Sequence, residues 1–255
     1  MTIVSKNERA LLQAYTFLAP YSDKARWEFD SHLCHLNWLT SNIADGASII
    51  DVGCGIGILA LSLRLLGYDI EGYDKFVFQG DMSYRIKDIE GLRKVWDNHG
   101  LQIMFRDALD DPSSIKQYDV VVSIATIEHQ TCPRAFLENL KRLVHPGGIV
   151  YLATPNVAHL LNRVRCLFGR PPLGNLRELF DADKNFVGHF REYTLEELKQ
   201  MFGWLGIEIV FAGQIQDKKS KWPHNFREIY VNLLRAIARI VPNFGEANII
   251  IGRVK

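Results

Sequence analysis

The chain has only four cysteines in 255 residues. Cys34, Cys54, Cys132 and Cys166 lie far apart and form no Cys-x-x-Cys pair. Neither a disulfide framework nor a zinc site is suggested, and free thiols in a reducing compartment are expected. No run approaches the roughly 18 apolar residues that a membrane span needs. Residues 1–9 are polar and lack an apolar signal core, so a cytoplasmic location is expected. An excess of one charge is also missing: 30 basic residues face 29 acidic ones, a net charge of +1. A surface built wholly for a polyanion is thereby disfavoured, and no nucleic-acid partner is expected. Internal repeats and low-complexity tracts are absent as well.

What is present is the make-up of a globular α/β protein, 47% hydrophobic. Residues 7–40 read as helical, with Leu11, Leu12, Tyr15 and Leu18, then Trp27, Leu33, Leu36 and Leu39, at helical spacing. From Ser48 onward, short apolar runs alternate with amphipathic segments. Strands are expected at 49–52, 68–73, 101–105, 119–124, 149–153, 207–211 and 247–252. Helices are expected at 58–66, 82–98, 136–144 and, from the capping box that Thr194 and Glu197 begin, up to Trp204. Alternation of this kind builds a doubly wound, Rossmann-like sheet, with ligands in the crevice at the strands' carboxyl ends. Asp51, Asp74, Asp107 and the segment after Ile124 should therefore converge.

The segment 51–57, Asp-Val-Gly-Cys-Gly-Ile-Gly, joins a strand to a helix. Gly53, Gly55 and Gly57 let a ligand approach the backbone where a Cβ would collide. Gly55 to Ala60 also fits the dinucleotide pattern G-x-G-x-x-[GA], so the glycines alone leave two cofactors open. Charge separates them. A pyrophosphate on this loop would be repelled by Asp51, whereas an ammonium would be attracted by about 1–4 kcal/mol, depending on the dielectric. The ammonium of S-adenosylmethionine is therefore the expected ligand. Asp74, ending the second strand, suits the two hydroxyls of a ribose. Asp107 could accept from an adenine amine, although Asp110 and Asp111 place it in a turn.

Together these residues resemble class I S-adenosylmethionine-dependent methyltransferases, in particular the ubiquinone-biosynthesis O-methyltransferase-like group. The likeness runs over about 48–209. It rests on IIDVGCGIG (49–57), EGYD (71–74), YDVVVSIATIEH (118–129), LVHPGGIVYLATPN (143–156) and HFREYTLEEL (189–198). The resemblance implies a seven-stranded sheet with its last strand antiparallel. It implies cofactor contacts from Asp51, Gly53, Cys54, Gly55 and Gly57, from Asp74 and Lys75, from Asp107 and Ala108, and from the backbone of Ser123 to Ala125. Some ubiquinone-pathway relatives carry a Glu three residues before the Glu-His pair, completing a divalent-metal site. Here Ala125 stands in that place, leaving Glu128 and His129, and no metal is expected on that count.

A hydroxyl acceptor needs a general base, and His129, just beyond the fourth strand, is the first candidate. His189 is the second. His32 and His35 have a metal-pair spacing but read as residues of an ordinary helix. The whole chain reads as one domain: a helical cap at 1–45, a cofactor core at 46–212 containing a lid-like insertion at 157–188, a second insertion at 213–245 and a last strand at 246–255. The second insertion opens with Lys218, Lys219, Ser220, Lys221 and Trp222. It continues with an apolar stripe from Phe226 to Val241, and Arg227, Arg235 and Arg239 occupy other faces. The stripe suits the protein's own core, a homodimer contact, or peripheral contact of 218–241 with an anionic membrane. The acceptor is expected to be a small molecule or a lipid-linked glycan.

Overall fold

The computed structural model describes residues 4–22, 29–76, 86–114, 116–172, 176–182, 186, 188–215, 229, 232–234, 236–237, 240–241 and 243–255. Its elements, in chain order, are α1 (Lys6–Leu18), α2 (Phe29–Asn42), β1 (Ser48–Val52), α3 (Ile58–Leu65), β2 (Asp69–Asp74), α4 (Ile89–Asn98) and β3 (Gln102–Phe105). There follow β4 (Tyr118–Ile124), α5 (Pro133–Arg142), β5 (Val144–Pro155), α6 (Leu160–Leu167), α7 (Leu176–Asp181), α8 (Leu195–Trp204), β6 (Glu208–Ile215) and β7 (Ala247–Arg253).

The seven strands form one sheet in the order β3-β2-β1-β4-β5-β7-β6. The first five run parallel, and β7 is antiparallel to both neighbours, as the resemblance implies. Strand order reverses between β1 and β4, which puts the ligand crevice at the carboxyl ends of those two strands. The period of two along a strand divides the core between the two faces. Ile49 packs with α1, α2, α3 and α4 on one side, while Ile50 packs with α5 and α8 on the other. Both isoleucines are fully buried, each contributing about 1.5–3 kcal/mol of transfer free energy.

Most expected elements are found, with shifted ends. The helical stretch at 7–40 is two helices, because Pro20 in the 3-10 turn Ala19–Tyr21 cannot continue the ladder of α1. The expected 82–98 helix starts, among the described residues, at Ile89 behind Asp88, whose side chain accepts from the Gly91 N–H. β5 is longer than expected, since Gly147 turns through φ +86° and lets Val144 pair with Tyr118 before the main ladder begins. The capping box of α8 is formed as read: Thr194 accepts from Glu197 N, and Glu197 returns to Thr194 N. Trp27, Met82, residues 218–222, Phe226, Arg227, Tyr230, Arg235 and Arg239 lie outside the described residues.

Candidate cofactor site and acceptor-side cluster

The glycine loop follows β1 and is held by the neighbouring strand. The N–H groups of Gly53 and Cys54 donate to Tyr73 O at 2.8 and 3.2 Å, and Gly55 N–H donates to Asp74 Oδ2 at 3.0 Å. Gly53, Gly55 and Gly57 have φ of +77°, +55° and +79°, a region that side chains with a Cβ strain to enter. At Gly53 an added Cβ would stand 2.3 Å from Thr126 Oγ1, and at Gly57 2.6 Å from Ile103 Cδ1. Thr126 was not singled out from the sequence; its hydroxyl donates to Val52 O and Ile124 O. It joins the ends of β1 and β4 directly behind the loop.

Of the strand-end acids, Asp51 and Asp74 are near neighbours. Asp51 is buried at 3% exposure, and Asp74 at 6%. Burial, with Asp74 nearby, pushes the Asp51 carboxyl up to about 7. Asp74 also accepts from Phe76 N at 2.8 Å through Oδ1, so each of its oxygens holds one backbone donor. Burial and the two neighbouring aspartates raise the Cys54 thiol well above its usual range, making it a poor nucleophile. Lys75 pairs with Asp107 at 3.5 Å, linking the ends of β2 and β3. Asp107 also closes the turn foreseen around it, accepting from Leu109 N at 2.9 Å. Ala108 is buried, its carbonyl receiving Asn139 Nδ2 at 3.1 Å. The Ser123 hydroxyl turns into the sheet and donates to Val52 O at 2.8 Å. Ala125 is exposed with φ +52°, its N–H donating to Ala153 O.

A second group lies just beyond β4. The 3-10 turn Ile127–His129 carries Glu128 and His129. The carbonyl of Glu128 accepts from Phe190 N at 2.8 Å and from Arg191 N at 3.3 Å, which fixes the 188–193 segment against the turn. That contact brings together two histidines 60 positions apart in the chain. The rings of His129 and His189 meet edge to face with centroids 4.7 Å apart. His129 Nδ1 lies 3.2 Å from Gly188 O, and His189 Nδ1 2.8 Å from Glu192 Oε1. Glu128 is fully buried, its Oε2 accepting from Thr154 Oγ1 at 2.8 Å. Burial pushes its carboxyl up to about 7.

The other candidate pair behaves as ordinary structure. His32 Nδ1 meets Tyr15 OH at 2.7 Å, and His35 Nδ1 meets Tyr151 OH at 2.6 Å. Each ring therefore fastens α2 to a different neighbour. The insertions are partly described: α6 is tied to 243–244 by Leu160 N donating to Phe244 O and by Arg163 stacked on the Phe244 ring at 4.9 Å. Among the described residues, no helix is long and apolar enough to cross a membrane.

A sheet of this order, with a glycine loop after β1 and an acid ending β2, defines the Rossmann-like fold of the methyltransferases. Residues 5–211 match the family described as a methyltransferase domain, and the chain belongs to that family. It thus carries an S-adenosylmethionine-dependent methyltransferase domain. Among curated proteins it is similar to the ubiquinone biosynthesis O-methyltransferase of Leptothrix cholodnii, 29% identical over 126 residues, 48% of this chain and 50% of that one. The chain spans about half the length of the curated relatives it matches. Two solved structures share the fold. A chain from the complex of the Haloferax volcanii Trm112 methyltransferase activator with its methyltransferase gives a TM-score of 0.61 at 16% identity, over 99% of this chain and 97% of that one. Magnesium protoporphyrin IX methyltransferase from Synechocystis, with bound S-adenosylhomocysteine, gives 0.56 at 14% identity, over 100% and 90%.

Proposed function

We propose that the chain transfers the methyl group of S-adenosylmethionine to a hydroxyl oxygen of a small molecule or a lipid-linked glycan, with a sugar hydroxyl as the acceptor. The observation that carries the cofactor half is Asp51. A buried carboxyl raised to about 7 beside a second aspartate favours a cationic ligand and disfavours the pyrophosphate of a dinucleotide. Asp51 receives the ammonium of the methionine part, the glycine backbone lets it approach, and Asp74 takes the ribose hydroxyls. Lys75, Asp107 and Ala108 border the adenine, and Ala125 with the Ser123 backbone lines the methyl side of the crevice.

The acceptor oxygen attacks the methyl carbon in line, the carbon–sulfur bond breaks, and the sulfonium charge is neutralised. Because the donor is already activated, positioning supplies much of the rate. A hydroxyl must also lose its proton as it attacks, and His129 is the proposed base, with His189 second. Gly188 O holds the His129 Nδ1 proton and so leaves Nε2 as the basic nitrogen.

The lipid-linked part of the reading has its support in exposed apolar side chains. Leu167, Phe168 and Phe180 in the 157–188 insertion, and Ile229, Leu233 and Ile240 in the 213–245 insertion, face solvent. They suit peripheral contact with a bilayer, with a homodimer face as the competing use. A second acceptor reading, a quinone precursor, is favoured by the names of the curated relatives. One experiment addresses both. Protein incubated with methyl-labelled S-adenosylmethionine and an extract of its source is partitioned into lipid and aqueous phases. Base-stable label on a lipid-linked sugar supports the glycan reading, and label on a free phenolic lipid supports the quinone one. Label confined to water-soluble products removes the membrane role of the insertions.

A further inference from the structure

We infer, on the reading of 188–193 as part of the acceptor side, that Asn248 and Gln214 are positioning residues for methyl transfer. They tie that segment, which carries His189, to the root of the 213–245 insertion. Along the face of the sheet that packs on α5 and α8, Leu152 of β5 pairs with Ile250 of β7, and Ile250 with Ala212 of β6. One repeat further along the strands, the period of two sets Thr154, Asn248 and Gln214 on that same face. The apolar row thus gives way to a polar one where the sheet meets the acceptor side. Thr154 is 1% exposed and Asn248 is fully buried. A buried amide is costly unless its hydrogen bonds are made, so an asparagine here answers to a partner rather than to packing.

The hydrogen bonds of the row run in one direction. The N–H of Gly245, the last residue of the 213–245 insertion, donates to Gln214 Oε1 at 3.1 Å. Gln214 Nε2 is thereby turned toward Asn248 and donates to its Oδ1 at 2.8 Å. Asn248 Nδ2 in turn donates to Tyr193 O at 2.8 Å. A backbone N–H can only donate, so Gly245 fixes the orientation of both amides after it. Gly245 comes this close because it is a glycine: a Cβ there would lie 2.8 Å from Gln214 Cβ. Asn156 joins the other insertion to the same point. Its Nδ2 donates to Gly245 O at 2.8 Å, and the N–H of Val157, which opens the 157–188 insertion, donates to Tyr193 O at 3.3 Å.

Tyr193 O is one anchor of the 188–193 segment, and Glu128 O, which accepts the Phe190 and Arg191 N–H groups, is another. The polar row reaches both, because Thr154 Oγ1 donates to Glu128 Oε2 at 2.8 Å. His189 is chain neighbour to Phe190, so a displacement of either anchor moves its ring against that of His129. Small misplacements of this kind are costly in a reaction whose rate comes from alignment. The glycine loop and Asp74 belong to β1 and β2, which β4 and β5 separate from β7. Asn248 and Gln214 therefore bear on the acceptor side and leave the cofactor's methionine and ribose contacts alone.

The test compares Asn248→Leu and Gln214→Glu with wild type in the full chain, at about pH 8, where an accessible carboxyl is ionised. Asn248→Leu keeps the shape and removes the donor to Tyr193 O. Gln214→Glu sets a carboxylate against Asn248 Oδ1 and so reverses the Asn248 amide, turning its oxygen toward Tyr193 O. It should act at 188–193 from a distance, and Gln214 is only partly buried, so this variant decides should Asn248→Leu fail to fold. In both, the Phe190 and Arg191 amides should exchange at least ~10-fold faster. Nitrogen NMR should show displaced His189 ring signals, with those of His145, on the exposed surface, unchanged. Affinity for S-adenosylhomocysteine should stay within about twofold, while transfer from methyl-labelled S-adenosylmethionine to an extract of the source slows at least ~10-fold. Unchanged exchange and histidine signals in either folded variant overturn the inference and leave the acceptor-side reading standing. A displaced segment with transfer at the wild-type rate overturns it by the other route, showing that 188–193 does not serve the acceptor. Cofactor affinity lost in step with transfer also overturns it, because the residues would then support the fold as a whole.

Discussion

The carboxylate of Asp74, at the end of β2, accepts the backbone N–H of Gly55 at 3.0 Å and so fastens the glycine loop of the adjacent strand. In the proposed reading the same side chain serves two tasks, shaping the loop and meeting the ribose hydroxyls. Its other oxygen accepts from Phe76 N at 2.8 Å. Asp74→Asn keeps the size but turns one acceptor oxygen into a donor that must face a backbone N–H. The expected outcome is a loss of about 1–3 kcal/mol of stability, together with at least ~10-fold weaker cofactor binding. Urea unfolding and calorimetry check the two effects; a change in affinity with unchanged stability would show that the loop does not depend on this contact.

Gly53→Ala tests the loop from the other side. The new Cβ would stand 2.3 Å from Thr126 Oγ1, at a φ of +77° that alanine strains to adopt. Strain of this kind costs about 1–3 kcal/mol. Relief of the clash alone, in Gly53→Ala with Thr126→Ala, should recover only part of the loss, because the backbone term remains. Full recovery of stability in the double variant would mean that the contact, and not the left-handed backbone, accounts for the glycine.

The parts of this architecture that depend on local pattern were legible in the sequence. The apolar runs of β1 and β4 and the capping box at Thr194 all act within a few residues. So did the convergence of Asp51 and Asp74, because the topology of alternating strands and helices dictates it. The pairing of His129 with His189 was not legible. It depends on Glu128 O accepting the Phe190 and Arg191 N–H groups, a contact between segments that no spacing rule connects. Both histidines were read as alternative bases, yet the fold makes them neighbours. Thr126 was missed for a similar reason, since its role follows from lying behind Gly53.

His35 provides a measure of acid stability. Burial, with His32 nearby, lowers its pKa to about 3. A folded pKa below the unfolded value of about 6.5 means that the unfolded chain binds the extra proton between these limits. Stability from this residue is therefore lost as pH falls from about 6.5 toward 3, at up to about 1.4 kcal/mol per pH unit. Asp51 and Glu128, both raised to about 7, act in the opposite sense between about pH 4 and 7, so the raw profile is a sum of opposing limbs. The difference between wild type and His35→Gln isolates the histidine: it should slope across pH 4–6 and flatten above 7. Parallel profiles for the two proteins would show that the ring is not held neutral by the fold.

The titration of Asp51 should appear in cofactor binding itself. In the free protein its carboxyl is raised to about 7 by burial and then by Asp74. An ammonium set against it favours the ionised form, so binding releases a proton whenever the pH lies below that value. Affinity for S-adenosylmethionine should then fall as pH drops from 7 to 5.5, by at most about tenfold per unit, and calorimetry in buffers of different ionisation enthalpy should register the released proton. Asp51→Asn removes the charge and with it the slope. Its affinity above pH 7 should be ~10–100-fold lower, the loss of a charge-assisted hydrogen bond. The same substitution should stabilise the cofactor-free protein at pH 8, by on the order of 1–4 kcal/mol, because a buried carboxylate no longer has to ionise. The opposing signs matter more than either magnitude. A residue retained only for packing would lose stability on substitution, and a loop built for a dinucleotide would tolerate or prefer the neutral side chain. Weaker binding joined to a more stable free protein is the result expected of a carboxylate kept in the crevice for a cationic ligand.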